Sequence, residues 1–168
     1  MKTQVGGTDA VVGGSFINGC FVAPNTTLVG VDLSGADLRK TQLFSSDLRG
    51  AVLFGVNLER VDVHGADLRR ADLRDAQLNR TNLIAVDARE AWFVGASMTR
   101  ANLERADLRY ANLDQADLRD ALLGGARLEG ATLQGARLDD AKLLGASYDD
   151  TTVFPRGFNP EARGMRAV

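Results

Sequence analysis

The sequence has little from which to build a catalytic or metal centre: one cysteine, Cys20, and one histidine, His64, in 168 residues. A lone cysteine cannot form an internal disulfide, so nothing calls for an oxidising compartment. One Cys and one His do not supply the ligands of a zinc site, structural or catalytic. No serine–histidine–acid set can be argued around a single histidine expected to face outward. No glycine-rich stretch opens a long helix, which excludes the usual phosphate loop. Charge of one sign is also missing, with 20 Lys and Arg against 22 Asp and Glu. That balance disfavours nucleic acid as a ligand, and equally the strongly acidic surface of a nucleic-acid mimic. No run approaches the ~20 apolar residues of a membrane helix. The start, Met1 to Gly7, lacks the apolar run of a signal peptide. One domain is expected at this length. It is expected in the cytoplasm, off the membrane, without cofactor or metal, and not as an enzyme.

What the sequence does have is a repeat. A Leu-like residue recurs at every fifth position from Leu28 to Val153. Two residues before nearly every one sits a small residue, most often Ala, as in Ala106-Asp107-Leu108-Arg109-Tyr110. Helices place apolar residues every three or four positions and strands every second, so a period of five fits neither. On a helix, five residues advance ~500° and smear the leucines around the whole surface. On one strand, an odd period flips them between faces. The pattern is consistent only if the chain turns a corner once per repeat. The Ala and Leu then point inward from a short extended piece, and the Asp or Asn between them points outward. The last position of the repeat is often Gly, as at Gly50, Gly55 and Gly95, which suits a tight corner.

The outward residues carry a second period. Asp47, Asp67, Asp87 and Asp107 recur every twenty residues, as do Arg49, Arg69, Arg89 and Arg109. Four repeats per coil and a four-sided cross-section follow, each residue stacking on its counterpart at the ~4.8 Å strand spacing. The repeats of residues 28–153 then make about 6.5 coils, a rod of ~31 Å.

The Ala-(Asp/Asn)-Leu-x-x unit resembles the pentapeptide-repeat family over about three quarters of the chain. The resemblance implies an all-β fold: a right-handed quadrilateral parallel β-helix, a solenoid of four pentapeptide repeats per 20-residue coil with short terminal caps. It also implies that the central residue and the small residue two before it fill the interior. Some members of the family mimic duplex DNA and act on a topoisomerase, gyrase, in quinolone resistance. They are strongly negative, and they tend to carry Phe at the centre. Here the centre is mostly Leu, the run has no insertion, and the charge is balanced.

The chain divides into an irregular N-terminal segment and first coil at 1–27, a repeat β-helix at 28–153 and a C-terminal cap at 154–168. Phe16 and Phe21, with Gly14 and Gly19 before them, look like central residues of an early coil. Two extra residues around Ala23-Pro24-Asn25 put Pro24 at a bulge or corner, and the Gly-rich start is expected to be weakly structured. Ala88 interrupts the leucines, and Val86, Phe93 and Met98 restore the volume it gives up. At the other end, Phe154-Pro155-Arg156-Gly157-Phe158 can lie over the last layer. Asn159-Pro160-Glu161 reads as a helix start that Gly164 ends.

Function must be carried by the outward positions. His64 is expected as a lone surface residue, and the acidic end at Asp139, Asp140, Asp149 and Asp150 as a solvated face. Lys40, Arg60, Arg80 and Arg100 form a candidate basic edge that continues into Asp120 and Asp140. It lacks the interleaved aromatics that single-stranded nucleic acid needs. Grouped outward apolar residues are the better pointer to a partner. Phe44 and Ile84 share one face with His64 between them; Val52, Phe54, Trp92 and Val94 share another. The expected function is that of a non-enzymatic interaction module, a rigid rod presenting a face to a protein partner. The alternative is a DNA-mimicking gyrase interactor. End-to-end pairing of two copies is left open.

Overall fold

A computed structural model describes residues 14–168. Residues 1–13, including most of the Gly-rich start, lie outside the described residues. From Ala23 the chain winds in coils of twenty residues, and each coil pairs in parallel with the next. Extended strands are not needed for this. One outward residue per repeat bridges its counterpart twenty residues on, as in Asp72↔Trp92 and Trp92↔Asn112. Two hydrogen bonds hold each such bridge: the Leu73 N–H donates to the Trp92 carbonyl at 2.8 Å, and the Trp92 N–H donates to the Ala71 carbonyl at 3.0 Å.

Each repeat ends in a corner of one form. The Val56 N–H donates to the Leu53 carbonyl at 3.1 Å, closing a four-residue turn whose third residue, Gly55, has φ 62°. That third position needs positive φ, and non-glycine residues accept it here too, among them Arg80 at 59° and Ala85 at 52°. The preference for Gly at corners therefore reflects a conformation demanded at nearly all of them. Ala85 has no side-chain group to offset the left-handed strain. Ala85→Gly is expected to stabilise by ~1 kcal/mol, read as a rise in urea midpoint.

The recurrent Asp and Asn also have a local cause. An outward Asp accepts the backbone N–H two residues on, as Asp62 does from His64 at 3.2 Å, and Asn57 does the same from Glu59 at 3.1 Å. The side chain thereby fixes the start of the corner.

The interior is a stack of small and large apolar side chains. Central positions from Leu28 to Leu143 and small positions from Ala36 to Ala146 are buried. Ala88, Phe93 and Met98 are all fully buried within one coil, in keeping with volume compensation. Thr81, in a small position, is buried and donates to the Leu58 carbonyl at 2.7 Å.

Both ends depart from the simple count. Phe16 and Phe21 do not point inward as repeat centres. Strand β1, Ser15–Ile17, pairs antiparallel with β2, Cys20–Val22, through an Asn18-Gly19 turn with both residues at positive φ. Phe16 and Phe21 face each other across this hairpin at 5.3 Å, and Phe16 is 79% exposed. Val22 is buried and Ile17 and Cys20 pack on the core, so the hairpin covers the first coil. Pro24 does occupy a corner, with Asn25 at φ 56°, and the five-residue register reaches back to buried Ala23.

At the other end the register slips by one. Val153, not Thr152, bridges Thr132, so Val153 faces outward and is 44% exposed. Phe154 turns to the core in its place. The extra residue is taken up in a corner pinned by Asp149, whose Oδ1 accepts from the Gly130 and Thr151 N–H groups at 3.0 and 3.1 Å. Beyond it Phe154 stacks on Phe158 at 5.1 Å. A single 3-10 turn, Glu161–Arg163, follows Pro160 and ends at Gly164 with φ 71°. The tail then adds a rung of its own: β3, Ser147–Tyr148, pairs in parallel with β4, Arg166–Ala167, and Met165 is buried beneath it.

Candidate interaction surface

The corners divide the coil surface into four sides, which are numbered here in chain order. Outward bridging rows mark them: Asp47, Asp67, Asp87 and Asp107 on the first; Val52, Asp72 and Trp92 on the second; Asn57, Gln77 and Ser97 on the third; Asp62, Asn82 and Asn102 on the fourth.

The first side is an ion-pair ladder. Arg49 Nε and Nη2 donate to the two Asp47 carboxylate oxygens at 2.7 and 2.6 Å, and Arg89 grips Asp87 in the same fork. Arg49, Arg69 and Arg89 also approach the Asp one coil on, at 3.7, 3.5 and 3.8 Å. The Arg hydrogen bonds hold Asp47, Asp72, Asp87 and Asp117 below the usual carboxylate range. Arg39 lowers Asp37 to about 2. Carboxylates depressed in the folded state stabilise above their unfolded pKa of ~4 and lose that contribution as pH falls toward ~2. The urea midpoint is thus expected to be flat from neutral pH to about 5 and to fall below about 4. Replacing Arg49, Arg89 and Arg119 by Gln, which removes the forks on Asp47, Asp87 and Asp117, is expected to shrink that acid-dependent fall.

The candidate basic edge lies at the corner after the third side. Arg60 Nε is 3.6 Å from Glu59, and Arg100 Nε is 3.4 Å from Asp120. A shallow depression of about 380 Å³ on this edge mixes both signs, with Arg80 and Arg100 beside Asp120 and Asp140. Lys40 is the exception among these corners and does not take the left-handed conformation.

The grouped apolar residues fall on opposite sides, two corners apart. On the fourth, Phe44 stacks on the His64 ring at 5.3 Å and 12°, and His64 Nδ1 is 2.9 Å from Asp62. Phe44 and Ile84 are half-buried, and only His64 between them is exposed. On the second, Phe54 and Trp92 are 45% and 52% exposed, with Val52 beside them and Val94 half-buried. Between them lies Arg74, which simple grouping of apolar residues misses. Its guanidinium sits 5.9 Å from the Phe54 ring and 5.4 Å from the Trp92 ring, while its Nε and Nη2 donate to Asp72 at 2.8 and 2.6 Å. The signal was in the spacing: Arg74 stands twenty residues after Phe54, in the next coil of the same row.

Among the described residues, no cluster of three or more His, Cys, Asp or Glu is placed to hold a metal ion. No helix there is long and apolar enough to cross a membrane.

The sequence profile of pentapeptide repeats matches in eight copies, over residues 25–53, 46–83, 81–120 and 111–147. The chain belongs to the pentapeptide-repeat family. It is similar to HetL, a pentapeptide repeat protein involved in heterocyst differentiation regulation in Nostoc sp. strain PCC 7120. The two are 35% identical over 77% of this chain and 68% of HetL, with TM-score 0.49. It is also similar to a pentapeptide repeat protein of the Arabidopsis thaliana thylakoid lumen, at 31% identity over 57% of this chain and 70% of that one, with TM-score 0.47. QnrB1, a plasmid-mediated fluoroquinolone resistance protein, matches at 20% identity over 86% of this chain and 81% of that one, with TM-score 0.35. A comparison with curated protein sequences returns no match. Proteins of this family are generally structural or interaction modules.

Proposed function

We propose that this protein is a non-catalytic interaction module: a right-handed, four-sided β-helical rod that presents its second side to a protein partner. The observation that carries the reading is the Phe54–Arg74–Trp92 cluster, two half-exposed aromatic rings flanking a guanidinium held in place by Asp72. Trp, aromatic and Arg side chains dominate binding energy at protein interfaces. Here they stand on a backbone fixed by bridges on both sides, so little freedom is lost on docking. The topoisomerase reading has less support, because the Asp rows that would mimic phosphates are forked to Arg along the first side.

The test compares partner retention by the wild-type protein and by a Phe54→Asp, Trp92→Ser double variant. Both substitutions lie on the surface, so equal melting temperatures are expected. Partners held by wild type should be lost by the variant, and Phe44→Asp on the fourth side should retain them. Retention of one set by all three proteins moves the docking surface elsewhere. Added protein is expected to leave gyrase supercoiling unchanged; inhibition at low micromolar protein would favour the topoisomerase reading.

A further inference from the structure

The second side differs from the other three in charge as well as in aromatic content. It carries four carboxylates, Asp32, Asp72, Asp75 and Asp114, against one base, Arg74. On each of the other sides between residues 32 and 142, bases match or outnumber acids. The one base is committed to Asp72 by its two-bonded fork. Asp32 is held by the Ser34 hydroxyl and N–H, and Asp114 accepts the Gln134 N–H; neither faces a cation among the described residues. Asp75 stands at a corner whose neighbours along the rod are Gly55 and Gly95. Its Oδ1 lies over Gly95, while the space at Gly55 is open, so the carboxylate borders a trough without side chains. It forms no ion pair among the described residues.

Arg74 shows what this surface accepts. Its guanidinium already rests against both rings and a carboxylate from within the chain. The remaining halves of Phe54 and Trp92 are open to solvent, and three carboxylates of the same side form no ion pair within 4 Å among the described residues, Asp75 feeling only the charge of Arg74. We infer that the second side docks an extended basic segment of a partner protein, its Arg or Lys side chains seated on the Phe54 and Trp92 rings and against Asp75 and Asp114. The spacing suits such a segment. Phe54 and Trp92 lie about two coils apart, roughly 10 Å at the strand spacing. A polyproline-II segment puts every third side chain on one face with a repeat of ~9.3 Å. Phe54 stands two residues further along its side than Trp92's row, so cations three residues apart match both rings on a segment that crosses the side obliquely. Rings and carboxylates together bind cations more tightly than either alone. This inference rests on the second side being the docking surface, as proposed above.

Trp92 is the only tryptophan in the chain, so its emission reports on the site directly. The probe is a nonapeptide of three Arg-Pro-Pro units, with Glu-Pro-Pro units as the control. A saturable change in Trp92 fluorescence is expected with the arginine peptide and none with the glutamate peptide. Raising the salt from low to physiological should weaken binding by screening. Asp75→Asn should weaken it up to about fivefold, in a corner whose φ of 56° asparagine tolerates. Phe54→Ala should weaken it about tenfold. The inference is overturned by no saturable change up to about 1 mM peptide, by equal responses to the two peptides, or by unaltered affinity in both variants. If partners are lost by the Phe54→Asp, Trp92→Ser protein while the arginine peptide gives no response, the docking reading stands and the cationic assignment falls.

Discussion

Truncating Leu78 to alanine is expected to cost about 2–5 kcal/mol, while Val153→Ala costs under about 0.5 kcal/mol, both read as shifts in urea midpoint. In the five-residue count the two positions are equivalent. In the structure Leu78 is fully buried in the middle of the rod. Coils above and below fix its surroundings, so a cavity there can collapse little. Val153 has slipped to the outward row, where it bridges Thr132 and is 44% exposed. Phe154 carries the inward role at that rung, so Phe154→Ala is expected to fall between the two. A loss at Val153 as large as that at Leu78 would mean that the register does not slip.

The coil containing Ala88 should show strong coupling between Ala88 and Phe93. Ala88→Leu alone adds volume to a closed interior and is expected to cost about 1–3 kcal/mol. Phe93→Leu alone leaves a void and is expected to cost about 1–2 kcal/mol. Together they restore the Leu pattern of neighbouring coils. The double variant should be more stable than the sum of the single losses predicts, by about 0.5–3 kcal/mol. Strict additivity would show that the two side chains do not share one space, contrary to their common burial within a coil.

How much of this was legible in the sequence depended on what each period encodes. The leucines and alanines from Leu28 to Leu143 were readable because inward positions recur without interruption. The twenty-residue coil was readable because Asp47 and Arg49 repeat with their forks, so the exterior records the winding of the interior. At the ends two signals competed. Gly14-Ser15-Phe16 and Gly19-Cys20-Phe21 fit the repeat, yet Asn18-Gly19 between them is a strong hairpin turn. The turn prevailed, and the flat first layer gained a two-stranded cover. At Asp149 a cluster of side-chain hydrogen bonds absorbs one extra residue, and a spacing rule applied at Val153 has no means of seeing it. Met165 lies outside any repeat and is buried only because the tail folds back over the final coil. On the second side, Phe54 and Trp92 stood out as apolar residues in polar rows. Arg74 and Asp75 did not, because their types are common at those positions; their setting between the rings and beside empty glycine corners sets them apart.

The winding of twenty residues per coil can be measured by cross-linking. In a Cys20→Ser background, cysteines replacing Asn82 and Asn102 occupy directly bridged outward positions. Bridged neighbours fall within the Cα separation of about 4.4–6.8 Å that a disulfide requires. Mild oxidation should link this pair rapidly within one chain, while cysteines replacing Asn82 and Ser97, on different sides of the coil, should remain unlinked. Ready linkage of the second pair with none in the first would contradict a four-repeat coil, and with it the placement of every side described above.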